Sequence, residues 1–227
     1  MKRRTAILIS GRGSNMEALI AAARDSAFPA RIDLVLSNRP DAAGLAAARL
    51  AGVPAETIDH RHFAGDRAAH ETAIDAALRA ADIEIVCLAG YLRLLTATLV
   101  RAWQGHMLNV HPSLLPSFPG LHTHARALAA GVKLHGCTVH LVTQEIDAGP
   151  ILAQAAVPVL PGDTEEQLEQ RVLRQEHAIY PAALAAFAAG LPACSPAPWA
   201  CLVNPVPLQL AGAEGPDPSD RESWVHS

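Results

Sequence analysis

Asn109 and His111 stand two residues apart in Leu108-Asn-Val-His-Pro-Ser-Leu-Leu-Pro116, so on an extended strand both side chains leave the same face. Pro112 cannot continue a strand ladder and leaves His111 at the tip. A carboxamide able to hold a developing oxyanion, beside an imidazole able to move a proton, is what acyl transfer requires. The same pair would serve as hydrogen-bonded core groups at a strand end, and spacing alone leaves both readings open. A second constellation is Ser10-Gly-Arg-Gly-Ser-Asn15. Gly11 and Gly13 let backbone N–H groups approach an anion, and the positive end of the following helix favours phosphate. Ser14 and Asn15 are placed to cap that helix. Met16-Glu17 falls where a dinucleotide fingerprint needs its third glycine, and the segment is no Walker loop, so it suits a monophosphate better than a pyrophosphate. The plainer alternative is an ordinary capped strand-to-helix turn.

Two further groups are weaker signals. Gln144-Glu-Ile-Asp-Ala-Gly-Pro150 holds two carboxylates in a loop, one of which could orient a histidine and stabilise its charged form. Unaided, it reads as a solvated turn in which Asp147 bonds its own backbone. His60 and His62, and His122 and His124, raise the idea of a metal site, but neither pair has a Cys or carboxylate at a recognised spacing, so no metal is expected. The chain has no Gly-x-Ser-x-Gly elbow and no cysteine–histidine nucleophile signature, so nothing favours a covalent acyl-enzyme.

These groups need a scaffold. Apolar runs at Thr5–Ile9, Ile32–Ser37, Val53–Ile58 and Ile83–Ala89 alternate with helical stretches at Asn15–Arg24, Ala42–Ala51 and Arg67–Ala81. The pattern predicts βαβ units, hence an α/β fold with a Rossmann-like, mostly parallel twisted sheet and helices on both faces. Beyond Trp103 the predicted strands Met107–Val110, His135–Val142 and Pro150–Val159 extend that sheet in mixed or antiparallel fashion, with no convincing helix between the last two. Thr164, followed by Glu165 and Glu166, opens a helix running to about Ala189, with a kink expected at Pro181. Ligands of such sheets sit beyond the carboxyl ends of the strands. Two of those ends, Ser10–Asn15 and Gly90–Leu95, carry conspicuous chemistry.

Composition narrows the class. With 18 basic and 22 acidic residues the net charge is -4, which excludes sequence-independent nucleic-acid binding. Local positive character for a small anion is still permitted. No charged residue occurs between His177 and Glu214, but Pro181, Pro192, Pro196, Pro198, Pro205 and Pro207 interrupt that stretch, so no membrane span is expected. The apolar run near the N-terminus is too short for a signal peptide, and Cys87, Cys137, Cys194 and Cys201 show no Cys-x-x-Cys spacing. A reducing cytoplasm fits.

Taken together, Gly11-Arg-Gly-Ser-Asn15, Leu88-Ala-Gly-Tyr-Leu-Arg-Leu-Leu95, Asn109-Val-His-Pro-Ser-Leu-Leu-Pro116, Pro119-Gly-Leu-His-Thr-His124, Asp147-Ala-Gly-Pro150 and Gln175-Glu-His-Ala-Ile-Tyr-Pro181 resemble the phosphoribosylglycinamide formyltransferases. The blocks run in order from about Thr5 to Leu191. The resemblance implies transfer of the formyl group of 10-formyltetrahydrofolate to the amine of 5'-phosphoribosylglycinamide in de novo purine biosynthesis. It implies a catalytic set of Asn109, His111 and Asp147, with direct transfer through a tetrahedral intermediate. By the same resemblance, Gly11, Arg12, Gly13, Ser14, Asn15, Pro112 and Glu176 would hold the ribonucleotide, Glu176 through the ribose hydroxyls. The folate would meet Arg67, Leu92, Arg93, Leu94, Leu95, Asn109, Thr143, Gln144, Glu145, Ile146 and Asp147. Leu92 stands where the family commonly has methionine.

The implied organisation is a single formyltransferase domain over 1–191, with a phosphoribosyl-binding half at 1–103, a catalytic and folate-binding half at 104–191, and an irregular Pro-rich tail at 192–227. Small molecules are the expected partners, on a monomer or homodimer. Related activities share the Asn-x-His-Pro-Ser-Leu-Leu-Pro block, namely formyltetrahydrofolate hydrolase and methionyl-tRNA formyltransferase. The residues after Leu191 are too few and too uncharged for the RNA-binding domain of the latter. A noncatalytic folate- or nucleotide-binding module would not need all three of Asn109, His111 and Asp147.

Overall fold

The computed structural model describes residues 1–190. Seven strands form one sheet: β1 (Arg3–Ile9), β2 (Ala30–Ser37), β3 (Ala55–Thr57), β4 (Ile85–Leu88), β5 (Met107–His111), β6 (Leu134–Leu141) and β7 (Ile151–Pro158). Their order is β3-β2-β1-β4-β5-β6-β7. Pairings among the first five are parallel, whereas β6 runs antiparallel to β5, and β7 to β6. The mostly parallel sheet with an antiparallel extension is the architecture the sequence predicts.

Six α-helices accompany it: α1 (Ser14–Ala23), α2 (Ala43–Leu50), α3 (Arg67–Ala80), α4 (Ala97–Ala102), α5 (Thr123–Ala130) and α6 (Glu165–Ala188). Ile7 and Ile9 of β1 join a core with Met16 and Leu19 of α1, Leu45 of α2 and Leu168, Val172 and Tyr180 of α6. Ala6 and Leu8 face the other way and pack with Ile74 and Leu78 of α3 and Leu99 of α4. A strand covered on both faces must be apolar at every position, which explains the unbroken run in β1. Each fully buried Ile or Leu in these layers contributes roughly 1.5–3 kcal/mol.

The helix ends follow local chemistry. Thr164 and Gln167 make a reciprocal capping box at the start of α6. Pro181 lies inside that helix without ending it. The start of α1 departs from expectation: Gly13 occupies the N-cap in the left-handed region at φ 81°, no side chain caps it, and Ser14 is already helical. Asn15 turns its amide elsewhere, to Glu176. Helices α4 and α5 have six and eight residues, and sequence reading missed both. The tail at 192–227, with Cys194 and Cys201, lies outside the described residues.

The sheet order reverses beside β1: the chain builds outward to β3, then returns to add β4 on the other side. The crevice beyond the carboxyl ends of β1 and β4 is therefore the topological switch point, where such sheets bind ligands. Both chemistry-bearing loops leave those two ends.

Candidate active site

The antiparallel register sets what surrounds the tip of β5. Asn109 lies opposite His140 of β6, and His111 lies opposite Thr138. Thr138 then locks the turn after His111, its hydroxyl donating to the Ser113 carbonyl at 2.7 Å and accepting the Leu115 N–H at 3.0 Å. Gln154, opposite Thr138 on β7, donates to the Leu115 carbonyl at 2.8 Å. Ser113 closes the turn from within by donating to the Ser117 carbonyl at 2.6 Å. Pro112 begins this turn and is half-buried. The Pro-Ser-Leu-Leu-Pro run thus fixes where the His111 ring stands.

Asp147 comes to that ring from the β6–β7 loop. Its Oδ2 is 3.5 Å from His111 Nδ1 and accepts the Gly120 N–H at 2.8 Å. The bland reading of a solvated turn is overturned: the Asp147 side chain is only 11% exposed. The residue adopts φ 53°, a left-handed conformation that turns its carboxylate inward while Thr143, Gln144, Glu145 and Ile146 stay exposed. On the other side of the ring, His111 Nε2 donates to the Phe118 carbonyl at 3.1 Å. Both nitrogens face acceptors, an environment that an imidazolium satisfies in full.

His140 is a neighbour of this group that sequence reading did not single out. Its Nδ1–H donates to the Leu141 carbonyl at 3.0 Å, which leaves Nε2 as an acceptor for the Asn109 amide at 3.2 Å. Burial holds His140 below the usual histidine range, so it remains neutral and keeps that lone pair. The Asn109 amide is oriented in consequence, with its second N–H left over. Asp147 Oδ1 lies 3.8 Å from the same His140 nitrogen. Asn109, His111, His140 and Asp147 therefore form one cluster.

Gly149 shows how tightly the loop is anchored. A Cβ placed there would sit 1.8 Å from the Leu141 carbonyl oxygen. Gly149→Ala is expected to displace the loop that carries Asp147, at a cost of about 1–3 kcal/mol in stability. Activity should fall at least tenfold in the folded enzyme. Thermal melting and a kcat measurement on the folded fraction check this, and an unchanged kcat would exclude the anchoring role.

The glycine loop is equally constrained. Its Gly11 carbonyl accepts the Gly44 N–H of α2 at 3.1 Å, and a Cβ on Gly44 would meet Ile9 at 2.7 Å. Arg12 is exposed. Asn15, buried at the start of α1, donates its amide to Glu176 Oε2 at 2.7 Å. Glu176 of α6 is buried, and loss of water raises its carboxyl above the usual range, while the Asn15 bond opposes that shift. The loop and Glu176, distant in sequence, are brought together.

The remaining sequence-predicted residues lie on other elements. Leu92–Leu95 follow β4 as an irregular segment, with Leu92 and Leu94 exposed and Leu95 packed against the core. Arg67 is the exposed first residue of α3, one turn before Glu71, which bonds the end of that segment. His60 and His62 lie in a 3-10 turn, and His122 precedes α5. His124 instead pairs with buried His135, Nδ1 to Nε2 at 3.2 Å.

That histidine pair has a consequence for pH. Burial pushes His135 down to about 4 and lowers His124 as well, so both are neutral in the fold. An unfolded histidine titrates near 6.5 and binds a proton that buried His135 refuses, so this contribution is complete above pH 6.5 and lost as pH falls towards 4. The melting temperature of His135→Asn should therefore depend less steeply on pH between 6.5 and 5 than that of the parent. Parallel slopes would contradict it.

Comparison with known proteins agrees with this geometry. Residues 3–184 match the formyl transferase family. The phosphoribosylglycinamide formyltransferase of Escherichia coli (strain K12) is 44% identical over 184 residues, 81% of this chain and 86% of the relative. A trifunctional purine biosynthetic protein adenosine-3 of Bos taurus is 50% identical over 189 residues, 83% of this chain. The chain spans only 14–19% of the length of the trifunctional relatives from Drosophila melanogaster and Bos taurus. The crystal structure of the phosphoribosylglycinamide formyltransferase from Brucella melitensis, 56% identical, superposes with a TM-score of 0.80, covering 84% of this chain and 98% of that one. A histidine flanked by an amide and a carboxylate at the end of β5, on this sheet and at these identities, places the chain in the formyl transferase family, among the phosphoribosylglycinamide formyltransferases.

Proposed function

We propose that the chain transfers the formyl group of 10-formyltetrahydrofolate to the primary amine of 5'-phosphoribosylglycinamide. The observation that supports the proposal is one cluster in which Asp147 lies beside His111 and His140, and His140 in turn holds the Asn109 amide. Catalysis then falls to groups already placed. The amine nitrogen bonds to the formyl carbon, and the carbonyl oxygen becomes an oxyanion. The free N–H of Asn109 and the protonated His111, its Nε2–H exchanging the Phe118 carbonyl for the oxyanion, stabilise it, an effect worth about 3–4 kcal/mol for a single oxyanion-hole donor. Collapse breaks the bond from the formyl carbon to the folate nitrogen. The imidazolium gives its Nε2 proton to the departing nitrogen, and the neutral ring then takes one proton from the amine. Asp147 keeps Nδ1–H directed and compensates the imidazolium charge.

Binding is assigned to the switch-point crevice. Gly11, Arg12, Gly13, Ser14 and Asn15 would take the phosphate at the start of α1, and Glu176 the ribose hydroxyls, with Pro112 beside the reacting end. Arg67, Leu92–Leu95 and Thr143–Asp147 would surround the folate. No helix of the described residues is long and apolar enough to cross a membrane. Cys87 and Cys137 are free and buried, which supports placement in a reducing cytoplasm. The proposed partners are these small molecules, on a monomer or homodimer. Absorbance of the folate product distinguishes the readings. Product forming only when the ribonucleotide is present supports transfer; equal formation without it would replace transfer with hydrolysis.

A further inference from the structure

The segment after β4 raises a mechanical question. Leu92 is 75% exposed and Leu94 58% exposed, and the stretch from Tyr91 to Leu95 belongs to neither helix nor strand. Exposed leucines in an irregular segment provide little to hold its shape. Tyr91 and Leu95 pack inward against the core, but apolar contacts do not fix backbone direction.

Two buried side chains from other elements do. At one end Ser10, just past β1 and only 3% exposed, accepts the Leu92 N–H on its Oγ at 2.8 Å. The Ser10 hydroxyl donates to Asn38 Oδ1 at 2.6 Å, which aims its lone pairs at Leu92. Asn38, at the end of β2, is itself buried. Ser10 N–H also donates to the Gly90 carbonyl at 3.1 Å, so the hydroxyl stands on a fixed backbone. At the other end Glu71 of α3, also 3% exposed, accepts three donors: the Thr96 N–H at 2.7 Å, the Thr96 hydroxyl at 2.5 Å and the Leu99 N–H at 3.1 Å. Thr96 caps α4 in turn by accepting the Thr98 N–H. Charge-assisted bonds of this kind are stronger than neutral ones. The three residues between the two attachments, Arg93, Leu94 and Leu95, have their ends set by Ser10 and Glu71.

We propose that Ser10 and Glu71 are positioning residues for the formyl donor, pinning Leu92–Leu95 at both ends so that the segment is already shaped when the folate arrives. This rests on the reading of Leu92–Leu95 as part of the folate site. Pre-shaping lowers the ordering cost paid on binding, so its loss raises KM for the donor and leaves chemistry at the bound folate largely intact. Ser10 also immediately precedes the glycine loop, but its hydroxyl reaches away from that loop to Leu92 and Asn38. The ribonucleotide KM should therefore stay within about twofold.

The test uses the full chain with Ser10→Ala and Glu71→Gln. Loss of one hydrogen bond should raise KM for 10-formyltetrahydrofolate by roughly three- to tenfold in each variant, with kcat within about threefold. Amide hydrogen exchange adds a local readout: Leu92 should exchange faster in Ser10→Ala, and Thr96 in Glu71→Gln. A merely structural role would lower the melting temperature and the active fraction, yet leave the donor KM of the folded enzyme unchanged, and that result would overturn the proposal. Folic acid added to the parent chain tests the underlying reading separately. Protection at residues 91–96 supports it. No protection there would remove the folate-site reading and the proposal with it, whereas protection with unchanged donor KM in both variants would remove the proposal alone.

Discussion

Replacing His111 with alanine is expected to lower kcat for formyl transfer by roughly three orders of magnitude while leaving the fold and folate binding in place. The imidazole contributes twice in the proposed reaction, once in stabilising the oxyanion and once in moving a proton, and positioned acid–base groups contribute roughly 10²–10⁴ in rate. The structural cost should be small by comparison. His111 makes its polar contacts to the Phe118 carbonyl and to Asp147, and the turn beyond it is held independently by Thr138, Gln154 and Ser113. Steady-state kinetics with both substrates, beside a thermal melt and folate titration, separate the effects. A kcat within tenfold of the parent would remove His111 from the chemistry.

Asp147→Asn should cost kcat roughly 10²-fold, by two routes that the geometry makes distinct. The amide keeps the shape but carries no charge to compensate an imidazolium. To accept the Gly120 N–H it must also place its oxygen where Oδ2 stands, which turns its nitrogen towards His140 Nε2, now 3.8 Å from Oδ1. That nitrogen would compete with Asn109 for the one lone pair His140 offers. Weakened orientation of Asn109 adds to the loss of charge, so adding His140→Ala to Asp147→Asn should lower kcat by less than His140→Ala does alone in the parent. Multiplicative effects would show that Asp147 and His140 act separately, and a kcat for Asp147→Asn within threefold of the parent would exclude the charge-compensating role.

How much of this was legible in the sequence depends on the distance over which each feature is decided. Asn109 and His111 are two apart on a strand that a proline terminates, so their common face and the place of His111 at the strand end follow from local rules. The parallel sheet and its switch point follow from alternating elements, because covered strands must be apolar throughout. Asp147 and His140 are different. Asp147 reaches His111 only through the β6–β7 loop and a left-handed backbone at φ 53°, and His140 faces Asn109 only in one antiparallel register. Register depends on pairing between segments, which a single sequence does not display. The contact of Asp147 with His111 was accessible through family resemblance, and His140 through neither route. Ser14 and Asn15 mislead in another way: both are good capping residues, but Gly13 takes the cap position and frees Asn15 to hold Glu176. Helix α4 escaped notice because its start is organised by Glu71, a residue from another helix.

The central claim is that this chain moves a formyl group directly from folate to a ribonucleotide amine with His111 as the acid–base group. Single-turnover rapid quench with a donor carrying ¹³C in the formyl group tests it in one measurement, read on the products and on the intact protein mass. The account predicts label passing from donor to the glycinamide amine in the parent chain, no labelled protein at any time, and label retained on the donor in His111→Ala. Labelled protein preceding product, label released chiefly as formate, or transfer by His111→Ala at close to the parent rate would contradict it.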